Sequence, residues 1–187
     1  MSARAGWLLL LAALTAGSTA CRRENQVETA SPDLLSLDAD MALLGMEHYM
    51  TRDGLRRAHL LADTAYFLQD SSKVRLRPVN VTFFDGEGHE VSELTAREGL
   101  YNMRTNDMEV RGEVVVLSRR DFQRLETARL TYSAREDQLR SDTSFVLYQG
   151  NTVLRGTGLV SDPDLRKARV TQPSAVVENP RAPGPGS

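Results

Sequence analysis

Three histidines, one cysteine and a Gly-Thr-Gly step are the residues of this chain best suited to chemistry, and their spacing decides against catalysis. His48, His59 and His89 are scattered, and no second His or Cys stands within a few residues of any of them, as a metal site built on local ligand pairs requires. Gly156-Thr157-Gly158 lacks the third glycine and the following helix of a nucleotide fingerprint, so it reads as a bulge or tight bend. There is no Gly-x-Ser-x-Gly elbow, no phosphate loop and no His-Glu-x-x-His. Aspartates and glutamates are many, but they fall in turns and on wet faces, where pairing two as acid and base is arbitrary. The residues predict no enzyme, no metal and no cofactor.

Cys21 supports a different chemistry. Arg4 gives a short positive start, residues 7–14 an apolar stretch, and residues 16–20 a run of small side chains ending at Cys21. One thiol cannot form an intramolecular disulfide, and its place after a signal-like segment suggests the acylated N-terminus of a bacterial lipoprotein. Ser18-Thr19-Ala20 resembles a lipobox, although that pattern prefers leucine where Ser18 stands. The alternative is an uncleaved anchor, with residues 5–21 at the short limit of a spanning helix and Arg22-Arg23 as its flank. In either case the remaining chain is tethered to a membrane and lies outside the cytoplasm.

Charge narrows the partners. The chain has 23 basic and 25 acidic side chains for a net charge of -2, dispersed along its length. That balance disfavours nucleic acid, which requires a concentrated basic surface. Apart from Trp7, the aromatics are Tyr and Phe at strand positions, where packing in a core is their ordinary role.

The elements that must position any site are strands. An aromatic residue, an apolar residue seven positions on and a third position two further recur as Phe67, Val74, Leu76, then Tyr101, Met108, Val110, then Tyr132, Leu139, Ser141. Turn formers fill each gap, such as Gln69, Asp70, Ser71 and Ser72 in the first, so each copy predicts a hairpin. Ser161, Ala168 and Val170 make a degenerate fourth copy, as a terminal repeat with one uncovered face would. Between the hairpins, Val79, Val81 and Phe83 alternate with Asn80 and Thr82, and Val114 and Val116 repeat the pattern. So do Phe145 and Leu147 or, one register over, Val146 and Tyr148. Asp85-Gly86-Glu87-Gly88 and Gly150-Asn151 supply tight turns. The prediction is an all-β domain over residues 45–172, entered by a strand at Gly45, after a leader (1–21) and linker (22–44) and before a disordered Pro/Gly-rich tail (173–187).

Several stretches resemble the LptC/LptA/OstA-like group of lipopolysaccharide transport proteins, and component C in particular. They are Gly45-Met46-Glu47-His48-Tyr49-Met50-Thr51-Arg52-Asp53-Gly54, Ala62-Asp63-Thr64-Ala65-Tyr66 and Leu94-Thr95-Ala96-Arg97-Glu98-Gly99-Leu100-Tyr101. Asp107-Met108-Glu109-Val110-Arg111-Gly112-Glu113-Val114-Val115-Val116, Ser141-Asp142 with Phe145, and Gly156-Thr157-Gly158-Leu159 extend the likeness. The resemblance implies a twisted, incompletely closed β-jellyroll of antiparallel strands with a hydrophobic groove, one unit of a periplasmic bridge that carries lipopolysaccharide. The implied partners are lipid A acyl chains, the permeases of an inner-membrane ABC transporter, a periplasmic LptA-like jellyroll, and the membrane through the N-terminus. Val79, Val81, Phe83, Val114, Val116, Phe145 and Leu147 would line the groove, since they alternate on central strands.

Strand addition would join the units, with an edge near residues 159–170 meeting the next jellyroll and an edge near residues 46–60 facing the transporter. Pro163, Arg166, Lys167 and Arg169 could instead block that later edge. Two departures matter: enteric relatives carry a spanning helix, and Arg22 stands where their inner-membrane lipoproteins retain aspartate. Inner membrane is the favoured location and outer membrane the alternative. A competing reading is a structural outer-membrane lipoprotein whose closed β-solenoid or sandwich serves only protein contacts.

Overall fold

Phe67 stands opposite Val74, Tyr101 opposite Met108, and Tyr132 opposite Leu139, each pair the first cross-strand rung beside a hairpin turn or within one residue of it. The recurring sequence phrase therefore marks hairpins, and the fold is built by repeating them. The computed structural model describes residues 39–68 and 72–178. The expected leader with Cys21, the expected linker up to residue 38, Gln69, Asp70 and Ser71 of the first expected hairpin, and everything after residue 178 lie outside the described residues.

The strands are β1 (Ala39–Arg52), β2 (Leu55–Leu68), β3 (Lys73–Phe84), β4 (Glu90–Ala96), β5 (Glu98–Asn102), β6 (Met108–Ser118), β7 (Arg124–Ser133), β8 (Gln138–Gln149), β9 (Thr152–Ser161) and β10 (Arg169–Glu178). They form one ten-stranded antiparallel sheet whose spatial order follows the chain. β4 and β5 share one lane: both pair with β3 on one side and β6 on the other. Among the described residues β1 and β10 each have a single partner, so the sheet has two unpaired edges there. The tight turn between β1 and β2 is Asp53-Gly54, whose φ values of 54° and 75° are those a two-residue hairpin of type I′ demands. The degenerate fourth phrase falls one step beyond the outermost β9–β10 rung, Arg169 opposite Val160, and closes through a longer turn.

A line of irregular positions crosses the sheet and folds it. Gly45 has a φ of 68° and interrupts the β1–β2 ladder opposite Asp63. Pro78 faces Asp63 from β3, where its missing N–H removes no needed rung. Arg97 then separates β4 from β5, and its N–H donates to the Gly112 carbonyl at 2.9 Å. Gly112 and Glu113 both have positive φ and occupy the register shift between Arg111 and Val114. Further shifts lie at 127–131 in β7, 141–144 in β8 and 173–175 in β10. Bulges bend a strand and add twist, and aligned from strand to strand they make a crease. Inward side chains change phase there: Ala62 and Ala65, like Leu76 and Val79, are buried three residues apart. A flat strand would separate them by an even number.

Folding along the crease brings distant strands face to face. The Phe83 ring on β3 packs against Tyr132 on β7 with centroids 4.9 Å apart, and His48 on β1 meets Tyr101 on β5 at 5.4 Å. Ser92 Oγ on β4 donates to the Pro163 carbonyl at 2.6 Å, closing the turn before β10 over the interior.

Both ends of the domain extend further than the sequence predicted. β1 begins at Ala39, because Met41 and Leu43 continue the two-residue alternation and pair with Phe67 and Ala65. β10 runs to Glu178 through the expected tail. Its Pro173 sits at the register shift, where a proline is tolerated, and Val176 and Val177 resume pairing with Leu154 and Val153.

Candidate functional site

The seven alternating residues converge on a single apolar interior. Val79 is 2% exposed, Val81 and Phe83 0%, Val114 1%, Val116 0%, Phe145 3% and Leu147 0%. β3, β6 and β8 supply them, and all belong to one contiguous cluster. Their neighbours Asn80, Thr82, Val115 and Val146 lie on the other face and are half-buried. The register of β8 is thereby decided for Phe145 and Leu147 over Val146 and Tyr148. The interior also takes Leu94, Leu125, Leu130 and Leu139, together with Met46 and Met50 from β1. Leu125 and Leu130 escape a two-residue search because the crease changes the phase between them, whereas Met46 and Met50 were visible in the expected first strand. The seven side chains are sealed from solvent, so the interior is packed rather than trough-like.

Two of the buried polar residues, Thr127 and Ser141, stand at the crease. Thr127 and Ser141 meet at 3.0 Å, and Thr143 joins Thr127 at 2.9 Å, where β7 and β8 cross the crease. Thr127 Oγ1 also donates to the Ser144 carbonyl at 3.0 Å, a backbone group freed by the register shift. This hydroxyl cluster satisfies the broken ladder from inside. It also explains why the third hairpin phrase ends on serine.

One end of the interior is closed by a polar clasp between layers. Arg57 on β2 pairs with Asp137 in the β7–β8 turn, and Arg52 on β1 approaches the same carboxylate at 3.5 Å. Arg52 Nη1 also donates to the Ala134 carbonyl at 2.9 Å, and Tyr132 OH donates to Asp137 at 3.1 Å. Burial, reinforced by the Asp137 charge and hydrogen bond, pushes the Tyr132 phenol far up. Burial alone pushes Tyr101 up to about 12. Beside the clasp is a cavity of about 410 Å3, bounded by the β3–β4 turn, the β7–β8 turn and the segment before β10. Asp164 there is pushed up first by burial and then by its hydrogen bond and repulsion with Asp162.

The histidines are engaged structurally. His48 Nε2 lies 2.9 Å from Tyr101 OH, and His59 bonds Glu47 at 2.8 Å while stacking on Tyr49. His89 stands near Asp85 and Glu87, with one ligand atom from each within 4.8 Å of the others. The Asp85 carboxylate there accepts the N–H groups of Glu87 and His89 at 2.9 Å and also pairs with Arg120. It is spent on the turn.

The edges match those the sequence suggested in part: residues 46–52 lie on β1 and residues 169–170 on β10, each at an edge of the sheet. Residues 55–60 belong to β2 and residues 159–161 to β9, and both strands are paired on two sides. The free edges are the whole of β1 and of β10. Exposed apolar side chains gather on them: Leu44 is 73% and Met41 56% exposed on β1, Val176 64% and Val177 52% on β10.

A hairpin meander creased into two layers, with an apolar interior and two unpaired edge strands, is an open β-jellyroll. Residues 8–174 match the family described as "Lipopolysaccharide-assembly, LptC-related". The chain belongs to that family, and membership gives it a role in lipopolysaccharide transport. The comparison with curated proteins gives no match.

Proposed function

We propose that this chain is a membrane-tethered, non-catalytic carrier that accepts lipopolysaccharide from an inner-membrane ABC transporter and passes its acyl chains through the jellyroll interior to a neighbouring periplasmic jellyroll. The observation that carries the reading is the convergence of Val79, Val81, Phe83, Val114, Val116, Phe145 and Leu147 on one apolar interior in a sheet whose edges stay open. A buried methylene gains about 0.8 kcal/mol, so acyl chains that part the layers recover in the interior much of what the opening costs. The two free edges suit strand addition at each end of the unit. Cys21 and the apolar segment before it supply the tether, by acylation or as an anchor. Among the described residues no helix is long and apolar enough to cross a membrane.

Complete burial of the seven side chains favours a second reading, a closed jellyroll used only for protein contacts. Photo-crosslinking separates the two. A crosslinker at Val81, Phe83, Val116 or Phe145 in cells with an active transporter is expected to capture lipopolysaccharide, whereas one at Asn80, Thr82 or Glu113 on the opposite face is not. Equal labelling of both faces, or none, would establish the closed structural module.

A further inference from the structure

We infer that the cavity beside the clasp is a binding site for the phosphate-bearing head group of an acylated lipid, with Arg57, Lys167 and Arg169 as its anion ligands and the clasp as the contact the head group displaces. The inference rests on the carrier reading above and adds to it a polar recognition step.

Three observations carry it. Arg57 lines the cavity with its side chain only 17% exposed, yet its buried Nε has no hydrogen-bond partner. A guanidinium with an unused buried donor lacks an acceptor, and a single carboxylate cannot satisfy a fork that Arg52 also approaches. Lys167 and Arg169 line the same cavity and form no ion pair among the described residues. Four of the five carboxylates of the lining, by contrast, are already paired with arginines. Asp85 pairs with Arg120, Glu136 with Arg140, Asp137 with Arg57, and Asp164 with Arg166 at 3.9 Å, whereas Asp162 has no ion pair among the described residues and accepts the Lys167 backbone N–H at 2.9 Å. The unpaired charges of the lining, Lys167 and Arg169 against Asp162, are therefore cationic in balance, the complement of a phosphate, whose several oxygens can take bonds from them and from Arg57.

The geometry also says what lies behind the phosphate. Asp137 holds Tyr132 by its hydroxyl, and the Tyr132 ring packs on Phe83, one of the interior residues. Phe84 and Val91 border the cavity from the same layer as Phe83. A phosphate that takes Arg57 from Asp137 loosens the bond between layers at the point where the interior begins. Head-group capture and admission of the chains are then one event, and the apolar interior stays closed until an amphiphile of the right charge arrives.

The test uses the full-length chain in detergent with a photo-crosslinker in place of Phe83, titrated with bisphosphorylated lipid A and with the same lipid A stripped of both phosphates. The expected result is half-maximal capture of the phosphorylated form at a concentration about tenfold lower, and loss of that advantage in the Lys167→Gln, Arg169→Gln double variant. Asp137→Asn, which releases Arg57, is expected to improve capture of the phosphorylated form. Both side chains of the double variant are exposed, so its folding is preserved. Capture of both lipids alike, unchanged in the variants, overturns the head-group site and leaves the carrier reading standing. No capture of either lipid overturns the carrier reading itself. Displacement of phosphorylated lipid A by inorganic phosphate at equal concentration overturns the lipid assignment and makes the site one for a free anion.

Discussion

Two buried phenols tie the interior to alkaline pH. Tyr101 is 1% exposed, donates to Asn106 Oδ1 at 2.6 Å and meets His48, while Tyr132 is 2% exposed and donates to Asp137. Burial disfavours the phenolate, so both groups ionise at higher pH in the folded chain than the value of about 10 expected when unfolded. Between those values the unfolded chain has lost protons that the folded chain keeps, and the stability of the fold falls with pH. The contribution is whole below about pH 10 and is lost as pH rises through the folded value, about 12 for Tyr101. Urea midpoints measured across this window should fall for the parent, and fall less steeply for Tyr101→Phe. At neutral pH that variant should lose about 1–3 kcal/mol with its buried hydrogen bonds. At this scale the sequence shows the inward aliphatics, because alternation on β3, β6 and β8 is local. The clasp is invisible in it, since Arg57 and Asp137 lie 80 residues apart and neither position has a local signature.

Hairpins were legible as elements because the aromatic and its partner seven residues on bracket each turn, and all three strong copies form the rungs they suggest. The crease was not, although Gly45, Pro78 and Gly112 stand on it in plain view. A lone glycine or proline says that a strand bends, but only the register shows that neighbouring bends align. Gly156 illustrates what alignment demands. A Cβ there would lie 2.6 Å from the Gln172 carbonyl and 3.2 Å from the Phe145 ring, and the backbone oxygen has no room to yield. Gly156→Ala should therefore destabilise the domain by about 1–3 kcal/mol. Gly86→Ala, whose nearest neighbour is Arg57 Nη1 at 4.0 Å, should stay within about 0.5 kcal/mol of the parent. Thermal midpoints of the two variants check both expectations.

For the molecule as a whole, the edges and the tether matter most. Successive N–H groups along a strand point to opposite sides, so one of Val176 and Val177 offers its donor outward from β10. Proline at that position should leave the thermal midpoint near the parent's and weaken docking of a soluble periplasmic jellyroll partner about tenfold beyond alanine at the same site. Proline at the other position should unfold the edge. Equal binding by proline and alanine at both positions would move the docking surface to β1. Val160, which the sequence offered as an edge position, lies inside the sheet between β8 and β10, so it cannot serve this test. The tether has its own measurement: intact mass of the mature protein should show a diacylglyceryl group on Cys21, and Cys21→Ser should accumulate the unprocessed precursor. A mature chain that still begins at Met1 would identify the apolar segment as an anchor.

The order of the sheet also governs how the molecule comes into being. Each strand pairs with its immediate predecessor in the chain, apart from the shared lane of β4 and β5, so the growing polypeptide always has a finished template beside it. Such ladders are assembled from short loops with little entropic delay, and no strand waits for a partner not yet synthesised. Contacts between layers are of another kind: Ser92 reaches Pro163 across 71 residues and Arg57 reaches Asp137 across 80. Closure of the interior therefore carries the larger loop-closure cost. These long-range contacts are the ones that the proposed carrier would part for a lipid, so on that reading folding and transport act on the same seam.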